Sequence, residues 1–405
     1  MRRMPDAVAH GLLAGLDEIA GTGRDRRAGG YSRHLWQSAE LELRAWFTER
    51  AERLGLAVEV DRNGNTWAWW GEPGPDAVVV GSHLDSVPGG GAYDGPLGVV
   101  SALEAVARLQ ATGFAPTRPC AVLVFAEEEG SRFGVACLGS RLLSGAIDAD
   151  HARGLTDRAG ITLAEAAATA GLNPAHLGRD QQALDRLGIF LELHVEQGRG
   201  LIDLGEPLAV ASSILAHGRW RLSFTGQGNH AGATLMTDRR DPMVAAAHAI
   251  VAVQQAALAS PGSRATVGRI ETVPGGTNVI PSSVTAWLDA RADTDDQARA
   301  VVADITARLA LPHSGCAATV VEESWTGTVT FDPELAARLA LALGGVPALA
   351  TGAGHDAGVL ASSVPTAMLF VRNPTGISHS PEEFATLADC LAGIEALDTL
   401  LRELL

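Results

Sequence analysis

The sequence predicts an α/β protein in which a mostly parallel sheet flanked by helices forms one domain and a smaller α+β sandwich unit interrupts it. Three observations carry this reading. Four short apolar runs each end in a polar cluster: AVVVGSHLD at 77–85, CAVLVFAEEEG at 120–130, IFLELHVEQG at 189–198 and TAMLFVRN at 366–373. Such runs read as strands buried on both faces. A helical period between the first two gives a strand–helix–strand unit, which favours parallel pairing. The pattern then changes over residues 213–325 to strand, helix, two strands and helix, an order able to pack as a sheet-and-helix layer by itself.

The elements follow in order. Residues 38–54 place Leu41, Leu43, Trp46 and Phe47 on a roughly helical period, and AVEVDRNGNTWAWW with its Asn-Gly turn reads as a hairpin. Val99, Leu103, Val106 and Ala107 mark one face of a helix over 96–112. The interrupting unit holds strand RWRLSFTG, helix DPMVAAAHAIVAVQQAALA, strands ATVGRIETV and SVTAWLDAR, and helix TDDQARAVVADITARLA. The expected organisation is therefore one domain of residues 1–212 and 326–405, interrupted by an inserted second domain at 213–325. At 405 residues the chain exceeds one ordinary core, which agrees with two domains.

Composition limits the function. With 46% hydrophobic and 19% charged residues the chain is globular. Its formal charge of -16 arises from 47 acidic residues against 31 basic ones, and every basic one is arginine, so no nucleic-acid partner is expected, since a polyanion would be repelled. Cys120, Cys137, Cys316 and Cys390 form no CxxC spacing and are expected to be reduced. The N-terminal MRRMPDAVAHGLLAGLDEIA is interrupted by Asp6, His10 and Asp17, unlike a secretory leader. The stretch Met243 to Ala259 contains His248, Gln254 and Gln255 and falls short of a membrane span. A cytoplasmic protein without a membrane partner is the expectation.

Ligands of parallel sheets sit beyond the carboxyl ends of the strands, where all four polar clusters lie. GSHLD supplies His83 and Asp85, and Asp94 follows in the glycine-rich SVPGGGAYDG loop. Glu127, Glu128 and Glu129 follow the second run directly, where burying them unpaired is costly. His194 lies inside IFLELHVEQG and His379 in GISHSPEE. Alone, each has a bland reading as a paired or solvated side chain. Together they make a set of N and O ligands suited to two divalent ions sharing a carboxylate, whether Zn, Mn, Co or Ni.

These residues resemble the M20 metallopeptidase superfamily, and within it the branch of N-carbamoyl-L-amino-acid hydrolases and allantoate amidohydrolases. The resemblance rests on GSHLDSVPGGGAYDG, AEEEGSRFG, LELHVEQG, GNHAGATLM, TNVIPSSVTAWLDAR, GAGHDA and GISHSPEE, in family order. It implies that His83 and His194 bind different ions, that Asp94 bridges, and that Glu129 and His379 complete the set. It implies Asp85 as the residue orienting His83 through the ring nitrogen not bound to metal. Glu128 matches the general base. His194 selects the branch, since the peptidases usually carry a carboxylate there. Gln197, His230, Asn278, Arg291, Gly354 and His355 match substrate-holding positions, with Arg291 as the carboxylate clamp. Asp356 is expected to cap the helix after it. The implied reaction is hydrolysis of an N-carbamoyl-L-amino acid to the amino acid, ammonia and carbon dioxide. In it Glu128 deprotonates the attacking water, and His230, reaching in from the partner of a homodimer, stabilises the oxyanion.

The sequence departs from the commoner pattern at Ala92 and Tyr93, at Ala233 and Leu235, and at Arg372, Asn373 and Pro374. Arg372 is expected to offer a second anion contact, which keeps allantoate or another ureido acid as an alternative substrate. N-acyl amino acids and dipeptides are further alternatives. A binding protein that has lost the chemistry is the remaining rival, disfavoured because both base and ligands are retained.

Overall fold

The computed structural model describes residues 13–405, so Asp6 and His10 of the N-terminal segment lie outside the described residues. The chain divides into two compact units, one running to Ser212 and resuming at Thr330–Leu405, the other Ser213–Val329. The strands, in chain order, are β1 (Ala57–Val60), β2 (Thr66–Trp70), β3 (Ala77–His83), β4 (Cys120–Phe125), β5 (Leu187–Val195), β6 (Leu208–Ile214), β7 (Ala216–Thr225), β8 (Asn229–His230), β9 (Arg264–Val273), β10 (Val279–Ile280), β11 (Ser283–Ala292), β12 (Ala317–Thr326), β13 (Val329–Thr330), β14 (Ala348–Thr351) and β15 (Thr366–Val371). Helices used below are α1 (Ser38–Arg53), α2 (Pro96–Ala111), α3 (Leu138–Ser144), α4 (Pro242–Ala259), α5 (Asp295–Leu309), α6 (Asp356–Leu360) and α7 (Leu387–Leu404).

The large sheet runs β1-β2-β4-β3-β5-β15-β6-β13, with β14 beside β6. Its centre, β4-β3-β5-β15, is parallel, while β2 and β6 join it antiparallel. The residues of β3, β4 and β15 are all buried, and so are the last six of β5, as expected of strands covered on both faces. Because these four strands run the same way, the segments following His83, Phe125, Val195 and Val371 emerge at one edge. That shared edge positions the site.

Helix contacts correct two details of the sequence pattern. In α1 the buried face is Glu40, Leu43, Phe47 and Ala51, with Leu41 exposed. Glu40 is tolerated inside because Arg44, one turn on, pairs with it. Helix α2 is buried on most of its circumference and not on one stripe, because it lies between the sheet and α7; Ala107 is only half-buried. Helices between residues 138 and 184 add a second core of Leu35, Phe133, Leu138, Leu142, Leu163 and Leu177.

The second unit is a four-stranded antiparallel sheet, β12-β7-β11-β9, packed with α4 and α5. Strand β11 alternates half-buried and buried residues along its length, the pattern of a sheet with one covered face. Strand β12 was not read from the sequence, and the expected boundary at 325 falls inside it; the division lies after Val329. Helix α4, at 18 residues and mean hydropathy 1.4, does reach the length of a short membrane span, contrary to the sequence reading. Its Ala245, Ala246, Ala249, Val253 and Ala256 are buried in the core of this unit.

Candidate metal centre and active site

His83 ends β3 and His194 lies at the end of β5, its parallel neighbour. Adjacent strand ends therefore bring the two rings together, with Nε2 atoms 3.5 Å apart. Asp94 comes from the loop between β3 and α2, its Oδ1 3.2 Å from His194 Nε2 and 3.9 Å from His83 Nε2. Its other oxygen, Oδ2, is 3.4 Å from His379 Nε2, which in turn is 3.4 Å from Glu129 Oε2. Two triads result, His83–Asp94–His194 and Asp94–Glu129–His379, each with donor atoms within 4.8 Å of one another. They share Asp94. This corrects one expectation: His83 and His194 face the same position and not different ones, because β3 and β5 are neighbours in the sheet.

Close approach of the Asp94 loop depends on Gly95. Its φ is +84°, and a Cβ there would sit 2.5 Å from the His83 ring. His379 approaches differently. Its side chain is 51% exposed and its backbone is left-handed at φ +55°, a strained setting for a side-chain-bearing residue of the kind that clusters at functional sites.

Asp85 has a role beyond the expected one. Its carboxylate accepts the backbone N–H groups of Glu128 at 3.2 Å and Glu129 at 3.1 Å, fixing the glutamate loop under β3. The nearest acceptor for His83 Nδ1 is the Asp85 main-chain carbonyl at 3.1 Å, with the carboxylate at 3.5 Å. His83 is thus oriented chiefly by the backbone of Asp85. Glu127, buried at a left-handed φ of +53°, accepts the Arg132 and Phe133 amides, both at 2.7 Å, and closes the loop.

Glu128 points one oxygen, Oε2, to 3.7 Å from His83 Nε2. Burial pushes its carboxyl well above the ordinary range, with Asp356, Glu129 and Asp85 adding repulsion against the attraction of His83. Burial likewise pushes Glu129 up to about 8, aided by Asp94. Asp94 is held well below the usual carboxylate range despite burial, by its bond and charge contact with His194 and by His83 and His379. Burial works against a charged His83, yet Glu128 and Asp85 outweigh it and hold the ring well above its ordinary value. Converging buried carboxylates are costly unless cations neutralise them. The imidazole and carboxylate donors fit divalent cations of the Zn, Mn, Co and Ni type.

Of the residues expected to hold substrate, Gln197 stands over the shared ligand, its amide Nε2 3.3 Å from both Asp94 oxygens. His355 is buried with neither ring nitrogen hydrogen-bonded, its ring 4.5 Å from that of His194. Burial, and then His194, push it well below the ordinary imidazole range, so it is neutral. Gly354 is exposed and has open space where a Cβ would stand. Asp356 does not cap α6; it is buried against Ser140 Oγ and His355 occupies the cap position. Arg372 is not available as the second anion contact: its guanidinium pairs with Asp389 at 2.8 Å, in the first turn of α7.

His230, Asn278 and Arg291 lie in the second unit. His230 and Val279 pair across the β8/β10 ladder, which sets Asn278 beside His230. Arg291 sits at the far end of β11 and forms a two-bond pair with Asp289, at 2.7 and 3.0 Å. From Ser283 to Arg291 an extended strand covers about 27 Å. The sheet therefore separates Arg291 from the His230–Asn278 hairpin.

Three residues were missed by sequence reasoning. Glu192, buried inside β5, accepts Ser82 Oγ and the Ala357 N–H, both at 3.0 Å, tying β3, β5 and α6 together. Glu383, buried, accepts Ser378 Oγ at 2.8 Å and the Tyr93 N–H at 3.3 Å, joining the His379 loop to the Asp94 loop. The third is Cys137, whose Sγ lies 3.3 Å from Glu128 Oε1. The first two stand inside quoted motifs, so proximity to a ligand was their only signal.

Residues 79–403 match the model of peptidase family M20/M25/M40. The chain belongs to this family. The match takes in all five candidate ligands and Glu128. This M20-family chain is 35% identical over 390 residues to an N-carbamoyl-L-amino acid amidohydrolase of Geobacillus stearothermophilus, covering 94% of this chain and 95% of that protein. It is 33% identical to a ureidoglycolate hydrolase of Oryza sativa subsp. japonica, covering 96% and 83%. Among solved structures it resembles an amidase of the hydantoinase/carbamoylase family from Burkholderia vietnamiensis, with TM-score 0.87, 30% identity, and coverage of 98% and 97%.

Proposed function

We propose that this M20-family chain hydrolyses a linear amide C–N bond of a small carbamoyl or ureido acid, with N-carbamoyl-L-amino acids as the preferred class. The observation that carries the reading is a buried carboxylate, Glu128, set beside two ligand triads that share Asp94 and include His194 as an imidazole. The names of the relatives support the substrate class. His83, Asp94 and His194 would hold one ion and Asp94, Glu129 and His379 the other. When bound, such ions supply Lewis-acid polarisation of the amide carbonyl and acidify water. Glu128 takes the proton of the water that attacks the carbamoyl carbon, then delivers it to the amino-acid nitrogen as the C–N bond breaks. The carbamic acid released divides into ammonia and carbon dioxide. Neutral His355 and the Gln197 amide supply uncharged polar contacts suited to a ureido group.

The test is a panel of N-carbamoyl-L-amino acids, ureidoglycolate, allantoate, N-acyl amino acids and dipeptides, each with Zn, Mn, Co and Ni. A carbamoyl or ureido acid is expected to give the highest kcat/KM. Dipeptides or N-acyl amino acids ahead by a wide margin would overturn the substrate class.

We further propose a homodimer through the second unit, with His230 and Asn278 serving the partner copy. Two features support it. The His230 hairpin and Arg291 are too far apart along β11 to grip one small substrate from the same unit. In addition, Met243, Val244, Ile250, Val251 and Leu258 expose an apolar stripe along α4. Mixing inactive Glu128→Gln and His230→Ala variants under subunit exchange is expected to recover activity absent from either. No recovery, or a monomer by light scattering, would contradict the proposal. Four unbonded, buried cysteines suit the cytoplasm, where we place the protein.

A further inference from the structure

Cys137 lies outside every role derived so far, yet it touches the base. It is buried, and its Sγ is 3.3 Å from Glu128 Oε1. Its backbone N–H donates to the Glu128 carbonyl at 2.6 Å, while Leu138 and Gly139 donate to the carbonyls of Glu127 and Ala126 at 3.0 and 2.8 Å. Three consecutive amides at the start of α3 thus strap down the glutamate loop. Cys137 itself is left-handed, at φ +55°, a conformation that side-chain-bearing residues rarely adopt. Ser140 Oγ, 3.1 Å from the Cys137 carbonyl, also bonds the buried Asp356, anchoring the strap to α6.

We propose that Cys137 is a positioning residue for Glu128: its S–H donates to Oε1, and this turns Oε2 toward His83 and the first triad. The inference rests on Glu128 being the general base. Glu128 has two oxygens, and a base must present one of them to the reacting water in a fixed direction. Without a donor on Oε1 the buried carboxyl is free to rotate about its last bond, a broad two-fold torsion. Burial, followed by the charges of Glu128 and Asp356, pushes the thiol well above its ordinary range, so it remains a donor. The strained backbone keeps the sulfur on the Glu128 side of the strap.

The test compares Cys137→Ala, Cys137→Ser and Cys137→Gly in the full-length, metal-loaded enzyme, measuring kcat, KM, bound metal and Tm. Loss of a single weak S–H···O hydrogen bond is expected to lower kcat of the alanine variant about 3- to 10-fold, with KM and metal content unchanged. Serine, whose hydroxyl donates, is expected to restore kcat to within about twofold of wild type. Glycine tolerates the left-handed backbone, so it separates strain from the lost donor; it is expected to match alanine in kcat without a lowered Tm. The inference is overturned if alanine and glycine retain wild-type kcat, if serine is as impaired as alanine, or if KM or metal content moves in place of kcat. Should the alanine variant misfold, the serine and glycine pair decides. Glu128→Gln is run alongside. If it stays active, the base assignment itself is wrong, whereas an inactive glutamine variant beside a fully active glycine variant rejects the role of Cys137 alone.

Discussion

Replacing Glu128 with glutamine is expected to lower kcat by about 10²- to 10⁴-fold, the usual contribution of a positioned acid–base group. Glutamine keeps the volume and one carbonyl oxygen, and so leaves the loop fixed by Asp85 and Glu127 undisturbed. Bound metal and Tm are therefore expected to stay near wild-type values, because Glu128 belongs to neither triad. KM is expected to change little, since in the proposed mechanism the group acts on the water and the leaving nitrogen and not on the substrate's anchoring groups. Steady-state kinetics with metal analysis on the same samples gives the answer. Activity within about tenfold of wild type would remove Glu128 from the proton-transfer role.

The second large effect concerns Asp94. Its two oxygens face different triads, His194 and His83 on one side, His379 on the other. Asp94→Asn removes the charge shared by both, so on the proposed two-ion reading both equivalents of metal are expected to be lost together. Activity is expected to fall by well over about 10²-fold, since changes in groups merely supporting a ligand already cost 10- to 100-fold. His379→Ala is the control. It belongs to the second triad alone and is half exposed, so its variant is expected to retain one equivalent on the buried first triad. Elemental analysis after equilibrium dialysis distinguishes the cases. Asp94→Asn retaining one tight equivalent would show that the triads do not share their carboxylate.

Much of the donor set was legible before the fold was known, for an identifiable reason. Strands buried on both faces are near-continuous apolar runs, so a histidine or three glutamates at the end of such a run stand out. The hairpin with Asn63-Gly64 and the alternating strand Ser283–Ala292 were legible for similar reasons of period and turn chemistry. Strand β12 was not, because as an edge strand it carries Thr319, Glu322, Glu323 and Ser324 between its apolar residues. Helix α1 misled in the opposite way: its period placed Leu41 with the core, yet Leu41 is exposed and the neighbouring Glu40 is buried, paired with Arg44. Arg372 looked like a free anion contact, and only the packing of α7 shows that Asp389 engages it.

The amino-acid sequence alone determined which residue types are present at the strand ends, and therefore that imidazole and carboxylate donors meet at one edge of a parallel sheet. Tertiary structure decided which of them face each other. The sheet places β3 between β4 and β5, so His83 meets His194 across 111 positions of chain while Glu129, after β4, meets His379 instead. Tertiary structure also decided that the Asp85 carboxylate holds the glutamate loop and that a buried thiol faces Glu128. Local periodicity reports only the face a residue occupies within its own element. Partners so distant in sequence are chosen by strand order and loop closure, which depend on the packing of the whole core.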